Sequence, residues 1–239
     1  MDYRKLGNFG VKVSPICLGT AFRGFWTGMT DEATCIRVIE RAIDLGINFI
    51  DCANFYFAGR CEEVLGKALK NMGGKRDDLI ITSKVWSRIG EGPNDSGLSR
   101  FHIMREIERS LQRLQLDHID LYLLHNWDGD TGLDETLLAM DDLVRQGKIL
   151  YPAVSNFSAW QTMKALGVAR ELGAAPIVAT QPMYNLIKRQ AEVEILPMAA
   201  AENLAVMPYS PLGGGLLTGR RPYTRHARAS RPWLWSAAA

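Results

Sequence analysis

Residues 102–125, "HIMREIERSLQRLQLDHIDLYLLH", carry the pattern that decides the fold. The first part places apolar residues at helical spacing, at Ile103, Ile107, Leu111 and Leu114. The last part, residues 119–125, is largely apolar and ends in a histidine. Together they predict a helix with one buried face, followed by a strand that is buried on both faces.

The same unit recurs along the chain. Seven short apolar runs predict strands at residues 15–20, 48–53, 79–86, 119–125, 149–156, 176–183 and 205–212. Segments with helical period separate most of them, and this alternation indicates a parallel sheet with right-handed crossovers. The earlier stretch "YRKLGNFGVKVS", residues 3–14, predicts a small hairpin that turns at Gly7–Gly10.

Seven strands fit either an open doubly wound sheet or a (β/α)₈ barrel, and the residues at the strand ends favour the barrel. Polar side chains stand near the ends of six consecutive runs, at Asp51, Lys84, His125, Ser155, Asn156, Gln181, Tyr209 and Ser210. In a parallel barrel all these ends meet on one face. The first run is followed by "GTAFRGFW", without the GxGxxG of a Rossmann site. We therefore predict a TIM-type α/β barrel.

The composition, 47% hydrophobic and 23% charged over 239 residues, is typical of one globular domain. No apolar leader and no run of about 18 apolar residues occurs, so we expect neither a secretory signal nor a membrane span. The cysteines lack CxxC spacing, which predicts free thiols in a reducing cytoplasm. The histidines show no ligand pattern such as HExxH, so no metal site is predicted.

Several of these segments resemble the aldo-keto reductase family, in its bacterial branch that is also similar to potassium-channel β-subunits. The matching elements are "GINFIDCANFY", "ITSKVW", "IERSLQRLQLDHIDLYLLH", "VSNFS", "QPMYNLIKRQAEVEILP" and "YSPLGGGLLTGR", in the family's order. The resemblance covers about Tyr3 to Arg220. It implies an eight-stranded barrel that reduces aldehydes or ketones with NADPH.

The resemblance also implies a catalytic tetrad of Asp51, Tyr56, Lys84 and His125. Tyr56 would protonate the carbonyl oxygen while hydride adds to the carbon. A free phenol has a pKa of about 10, and a neighbouring ammonium lowers it, which is the role expected of Lys84. Asp51 would hold Lys84, and His125 would orient the carbonyl oxygen.

Cofactor-binding residues follow from the same resemblance. Tyr209 would stack on the nicotinamide, whereas Ser155, Asn156 and Gln181 would bind its carboxamide. The loop "SPLGGG" would pass over the pyrophosphate, where glycines let backbone N–H groups approach oxygens. The residues expected there are Ser210, Pro211, Leu212 and Gly214, with Thr20 and Asp51 also near the cofactor. Trp26 and Trp86 are the expected substrate-pocket residues, and Phe22 and Phe25 would extend an apolar wall.

The last twenty residues, "RRPYTRHARASRPWLWSAAA", do not match the family pattern. They contain five of the 28 basic residues and no acidic one, so the rest of the chain, with all 26 acidic residues, is net acidic. The positive net charge therefore does not indicate nucleic-acid binding. We interpret residues 1–219 as an incomplete barrel that stops before strand eight, and 220–239 as a disordered tail. A basic tail for an acidic partner and an added strand at "WLWS" are alternatives.

Three other functions stay open. The chain could be a weakly active or inactive relative with an incomplete cofactor site, or a non-catalytic, cofactor-sensing binding subunit. It could also be an unrelated phosphate-binding barrel enzyme, in which Tyr56 and Lys84 would have no shared role. An open barrel would in addition expose unpaired strand edges, and these favour self-association.

Overall fold

The computed structural model describes residues 1–219, apart from residues 23, 25, 26, 29 and 74. A hairpin comes first, formed by β1 (Arg4–Lys5) and β2 (Lys12–Val13) in antiparallel pairing. The seven strands that follow are β3 (Leu18–Gly19), β4 (Phe49–Asp51), β5 (Ile80–Val85), β6 (Ile119–Leu124), β7 (Ile149–Ser155), β8 (Ala179–Gln181) and β9 (Ala205–Val206). They form one parallel sheet in sequence order. The predicted barrel fold with its hairpin is confirmed.

Within the described part of the chain, six helices connect the strands: α1 (Glu32–Asp44), α2 (Arg60–Asn71), α3 (Arg100–Leu114), α4 (Leu133–Arg145), α5 (Ala159–Glu171) and α6 (Ile195–Ala201). Local sequence determines where several of these helices begin, because side chains accept hydrogen bonds from the free N–H groups of the first turn. Asp31 caps α1, Ser99 caps α3, and Ser158 with Gln161 forms a capping box at α5. Short 3₁₀ turns lie at Arg76–Asp78, Gln190–Glu192 and Gly213–Thr218.

The sheet is curled. Strands β4 and β8 are four positions apart, which is about 19 Å in a flat sheet. However, the side chain of Gln181 on β8 donates a hydrogen bond of 2.9 Å to Asp51 on β4. Two side chains of this length cannot cover 19 Å, so the sheet must bend round until its inner faces meet. Among the described residues, no strand pairs with the outer edges of β3 and β9.

Two apolar clusters hold the layers together. The larger lies between the helices and the outer face of the sheet and includes Ile103, Ile107 and Leu114, which belong to the stripe predicted for α3. The smaller fills the inside of the sheet, where Leu121 and Leu123 pack with side chains of the hairpin. The backbone N–H of Asn8 donates to Asn203, so the hairpin turn lies against the N-terminal side of β9. The opposite, C-terminal end of the sheet carries the polar residues that stand at the strand ends.

Several strands are shorter than the predicted runs. The first run, 15–20, pairs only over Leu18–Gly19, and the last, 205–212, only over Ala205–Val206. These are the two outer strands, each with one neighbour in the described sheet, so fewer ladder hydrogen bonds define them. Of the remaining apolar residues of these runs, Met207 is buried, whereas Ile16 and Leu212 are exposed. The expected tail, residues 220–239, lies outside the described residues.

Candidate active site

The four tetrad residues meet at the C-terminal end of the sheet. Asp51 ends β4, Lys84 is the fifth residue of β5, and His125 directly follows β6. Strand alternation turns Lys84 to the inside of the barrel, and its neighbour Ser83 to the outside. Tyr56 lies in the loop between β4 and α2, five residues after Asp51, as the sequence spacing predicted.

The ammonium group of Lys84 is the centre of this cluster. Its Nζ donates to both carboxylate oxygens of Asp51 at 2.7 Å, to the carbonyl oxygen of Cys52 at 2.6 Å and to the hydroxyl of Tyr56 at 3.2 Å. The residue is fully buried. Burial disfavours the ammonium, but the Asp51 carboxylate and Tyr56 favour it, and the net pKa of Lys84 is raised. Lys84 is therefore a fixed cation beside the phenol.

The pKa of Tyr56 reflects two opposed effects. Burial disfavours the phenolate and raises the pKa, whereas the charge of Lys84 lowers it. Burial is stronger and raises the pKa of Tyr56 to about 12, so the lowered pKa predicted from the sequence is wrong. The hydroxyl is thus a hydrogen-bonded phenol that keeps its proton at neutral pH.

His125 is almost completely buried beside this pair. Its ring contacts Tyr56 edge to face, with centroids 6.0 Å apart, and Phe55 at 5.5 Å. Burial and then the positive charge of Lys84 move the pKa of His125 well below its ordinary value. The imidazole is therefore neutral, and its Nδ1 is a buried atom without a protein hydrogen-bond partner. A neutral imidazole has one donor and one acceptor nitrogen, so this ring can hydrogen-bond a neutral oxygen without carrying charge.

The polar groups expected to bind the nicotinamide form one network with the tetrad. Gln181 donates to Asp51 at 2.9 Å, and the hydroxyl of Ser155 donates to the Gln181 carbonyl at 3.0 Å. The amide of Asn156 donates to the carbonyl oxygen of His125 at 2.9 Å. Its own amide oxygen accepts from the hydroxyl of Tyr209 at 2.8 Å. The structure thus brings Ser155, Asn156, Gln181 and Tyr209 to one side of the tetrad.

The glycine-containing loop lies beyond Tyr209. Ser210 and the three glycines that follow Leu212 have positive φ, between 56° and 98°. Gly214 is exposed, and a Cβ built on it would meet nothing within 4 Å, so its backbone is open to a ligand. Pro211 and Leu212 are exposed next to it. On the opposite side of the tetrad, the buried hydroxyl of Thr20 donates to the Asp51 carbonyl at 3.0 Å.

The predicted substrate-pocket residues are only partly described. Trp86 is half-buried, packs against the large apolar cluster and follows Lys84 by two residues. Phe22 packs against the same cluster. Trp26 and Phe25 lie outside the described residues.

Some residues of the site had not been predicted. The hydroxyl of Thr82 donates to Asp51 at 2.9 Å, directly beside the Lys84 contact. Buried Asn185 donates to the Ser210 carbonyl and accepts from the backbone of Ile187 and Lys188, and in this way it holds the glycine loop. Thr82 lies two residues before Lys84, so strand period could have found it. The sequence holds no comparable signal for Asn185.

Across the described residues, no cluster of three or more His, Cys, Asp or Glu side chains could hold a metal ion. In the same part of the chain, no helix has the length and apolar character needed to cross a bilayer.

A sequence model described as "Aldo/keto reductase family" matches residues 15–234. The match therefore includes part of the basic tail. An uncharacterized oxidoreductase of Bacillus subtilis, YrpG, is 42% identical over 228 residues, which are 92% of this chain and 69% of that protein. Two proteins named as probable voltage-gated potassium channel β-subunits, from Oryza sativa subsp. japonica and Arabidopsis thaliana, are each 36% identical over 222 residues. These cover 92% of this chain and 66% of each relative. The chain thus spans about two thirds of the length of these relatives.

Proposed function

Because the chain belongs to the aldo/keto reductase family, we propose that it reduces aldehydes or ketones to alcohols with NADPH. The contact between Lys84 Nζ and the Tyr56 hydroxyl at 3.2 Å supports this most directly. It joins a buried cation to a partly buried proton donor at the face where barrels of this type do their chemistry. An unrelated phosphate-binding barrel has no use for such a pair.

In the proposed mechanism, Tyr56 donates the proton. Reduction leaves negative charge on the carbonyl oxygen, and the hydroxyl of Tyr56 supplies the proton that neutralises it. The phenolate left behind is stabilised by Lys84, whose own charge is balanced by Asp51. His125, held neutral by burial and by Lys84, would hydrogen-bond the carbonyl oxygen and align it with Tyr56. A pKa of about 12 keeps Tyr56 protonated and ready for this step.

The residues present fit a nicotinamide dinucleotide. Such a cofactor supplies the hydride and needs amide partners, an aromatic surface and donors for its phosphates. Ser155, Asn156 and Gln181 would provide the amide contacts, and the half-buried ring of Tyr209 would provide the surface. The open backbone at Gly214, together with Ser210, would provide the phosphate donors. Assignment to NADPH rather than NADH rests on the family resemblance.

Cofactor binding and turnover would be measured separately. NADPH is titrated into the protein while tryptophan fluorescence is recorded, and its oxidation is then followed with a panel of aldehydes and ketones. We expect saturable quenching, and turnover with at least one carbonyl. The reductase proposal would be refuted if NADPH does not quench the fluorescence of the folded protein and no carbonyl leads to NADPH oxidation.

The plant relatives favour one alternative, because both are named as channel subunits. A cofactor-sensing binding subunit would bind NADPH in the same titration but release no alcohol with any carbonyl tested. A weakly active relative would require much higher NADPH concentrations for quenching. The three outcomes are therefore distinguishable in one pair of experiments.

Two further proposals concern the protein's surroundings. None of the four cysteines, which all belong to the described residues, forms a disulfide, and three of them are buried, which supports a reducing cytoplasmic compartment. Self-association through the outer edges of β3 and β9 stays a prediction, and light scattering on a sizing column would measure it.

A further inference from the structure

The loop that carries Tyr56 is held in an unusual backbone conformation. Phe57 and Ala58 both have a φ of 51°, and Gly59 follows with a φ of 89°. Residues with a side chain rarely adopt this left-handed region because their Cβ crowds the backbone, so two in succession need support from their surroundings. Because the strained residues directly follow Tyr56, whatever supports them also fixes the position of its hydroxyl.

A buried ionic cluster lies behind this loop, on the outer face of the sheet. We define the outer clamp as four residues, Asn54, Glu62, Glu106 and Arg113. Asn54 and both glutamates are fully buried. The Nε of Arg113 donates to Glu62 at 2.6 Å, and its NH2 group lies 3.6 Å from Glu106. One arginine on α3 thus connects two carboxylates that approach the loop from its two sides.

The outer clamp contacts the loop on both sides of Tyr56. Before it, the side chain of Asn54 donates to Glu106 at 3.0 Å, and its backbone N–H donates to the carbonyl oxygen of Lys84 at 3.3 Å. After it, Glu62 in the first turn of α2 accepts from the hydroxyl of Ser83 at 2.5 Å. Arg113 also packs against Gly59, where an added Cβ would come within 2.7 Å of the arginine Cδ. The strained segment is therefore fixed at its entry, at its glycine and at its exit.

We propose that the outer clamp positions Tyr56 for proton transfer, with the bond between Asn54 and Glu106 as its main contact. The inference rests on the proposed reductase function, because Tyr56 must be the acid for its position to matter. The four residues are positioning residues and do not touch the reacting atoms. A buried hydrogen bond between an amide and a carboxylate is suited to this, since it is directional and excludes water.

The first test compares Asn54→Ala with Arg109→Ala. Arg109 also pairs with Glu106, at 2.8 Å, but its side chain is 45% exposed. We expect Asn54→Ala to lower kcat by about 10- to 100-fold, because small displacements of a reacting group are costly, with the NADPH dissociation constant and carbonyl KM nearly unchanged. Arg109→Ala should retain the parent kcat. A kcat for Asn54→Ala equal to that of the parent would overturn the proposal.

Exchanging donor and acceptor distinguishes loss of the Asn54–Glu106 contact from simple misfolding of a variant. Asn54→Asp places a carboxylate against Glu106 and should lower kcat at least as far as Asn54→Ala. The double variant Asn54→Asp/Glu106→Gln keeps the same total charge and restores one amide–carboxylate bond with its direction reversed. We expect it to recover most of the lost kcat. A double variant no better than Asn54→Asp would contradict the positioning role.

A spectroscopic measurement separates this proposal from the reductase proposal. The protein is labelled with 3-fluorotyrosine, and the ¹⁹F signal of Tyr56, one of seven tyrosines, is assigned by its loss in Tyr56→Phe. We expect that signal to shift or broaden in Asn54→Ala and not in Arg109→Ala. If the parent shows no turnover but the signal responds in this way, the reductase function fails while the clamp is retained. An unchanged Tyr56 signal in Asn54→Ala would refute the proposed role of the outer clamp, whether or not the parent protein shows turnover.

Discussion

Two buried charged clusters lie on opposite faces of the same strand. Lys84 points into the barrel and pairs with Asp51 and Tyr56, whereas its neighbour Ser83 points outwards and donates to Glu62 in the outer clamp. The inner cluster includes a proton donor and the neutral ring of His125, groups that a ligand can use. The outer clamp engages its carboxylates with protein groups alone. Burial of charge is therefore not itself a sign of chemistry; a buried charge beside a proton donor at the C-terminal end of the sheet is the stronger sign.

The largest expected effect concerns the inner cluster. Tyr56→Phe removes the proton donor and should lower kcat by about 10²–10⁴-fold, as expected for loss of a general acid. NADPH binding should persist, because the ring stays in place. Tyr3→Phe is the control, since that hydroxyl bonds Gly46 beside the hairpin at the other end of the barrel. Equal loss of NADPH binding in Tyr56→Phe would argue against its role as the acid.

The next effect concerns the outer clamp and is one of stability. Arg113→Met leaves Glu62 without its ionic partner and should lower the free energy of unfolding by about 3–5 kcal/mol. Arg109→Met removes the same charge from an exposed position and should cost less than about 1 kcal/mol. Urea unfolding curves with equal slopes would give both values. Similar losses for the two variants would show that burial does not distinguish these arginines.

The packing of α2 on α3 behind the outer clamp is tested by a single methyl group. A Cβ at Gly66 would lie 2.7 Å from the carbonyl oxygens of Arg113 and Leu114, so Gly66→Ala should destabilise the protein by about 1–3 kcal/mol. Gly167 in α5 has open space around it, and Gly167→Ala should stabilise by about 0.5–1 kcal/mol. Thermal unfolding would compare the two, and a stable Gly66→Ala would mean that the helices can separate freely.

The smallest expected effect is the pH dependence of reduction. Tyr56, with a pKa of about 12, stays protonated between about pH 6 and 9, and His125 stays neutral because its pKa is well below its ordinary value. We therefore expect a nearly flat kcat for carbonyl reduction over this range. Alcohol oxidation needs the phenolate and should rise about tenfold per pH unit below the pKa. A change of kcat for reduction with a midpoint near pH 7 would show that a group other than Tyr56 supplies the proton.

Much of the inner cluster could be predicted because strand order is encoded locally. Six of the seven apolar runs have a polar residue near their end, and parallel strands bring such ends together without any knowledge of side-chain contacts. The net pKa of Tyr56 could not be predicted in this way. The sequence places an ammonium nearby, but only the folded structure sets how much burial opposes it.

The outer clamp was missed because two adjacent residues look alike in the sequence. Glu62 and Glu63 stand together in the first turn of α2, yet Glu62 is fully buried and Glu63 pairs with Arg60 at the surface. Helical phase places Glu62 near the apolar face of α2, but its partner Arg113 lies 51 residues later. Contacts of that separation depend on how α2 and α3 pack.

The sequence by itself determined the alternation of strands and helices, the hairpin, and the polar residues at the strand ends, because these depend on periodicity and local hydrogen bonding. The tertiary structure alone decided which side chains meet across the curled sheet, such as Asp51 with Gln181, and which carboxylates support the Tyr56 loop. The physical reason is that burial, charge balance and backbone strain are set by neighbours that are distant in the chain.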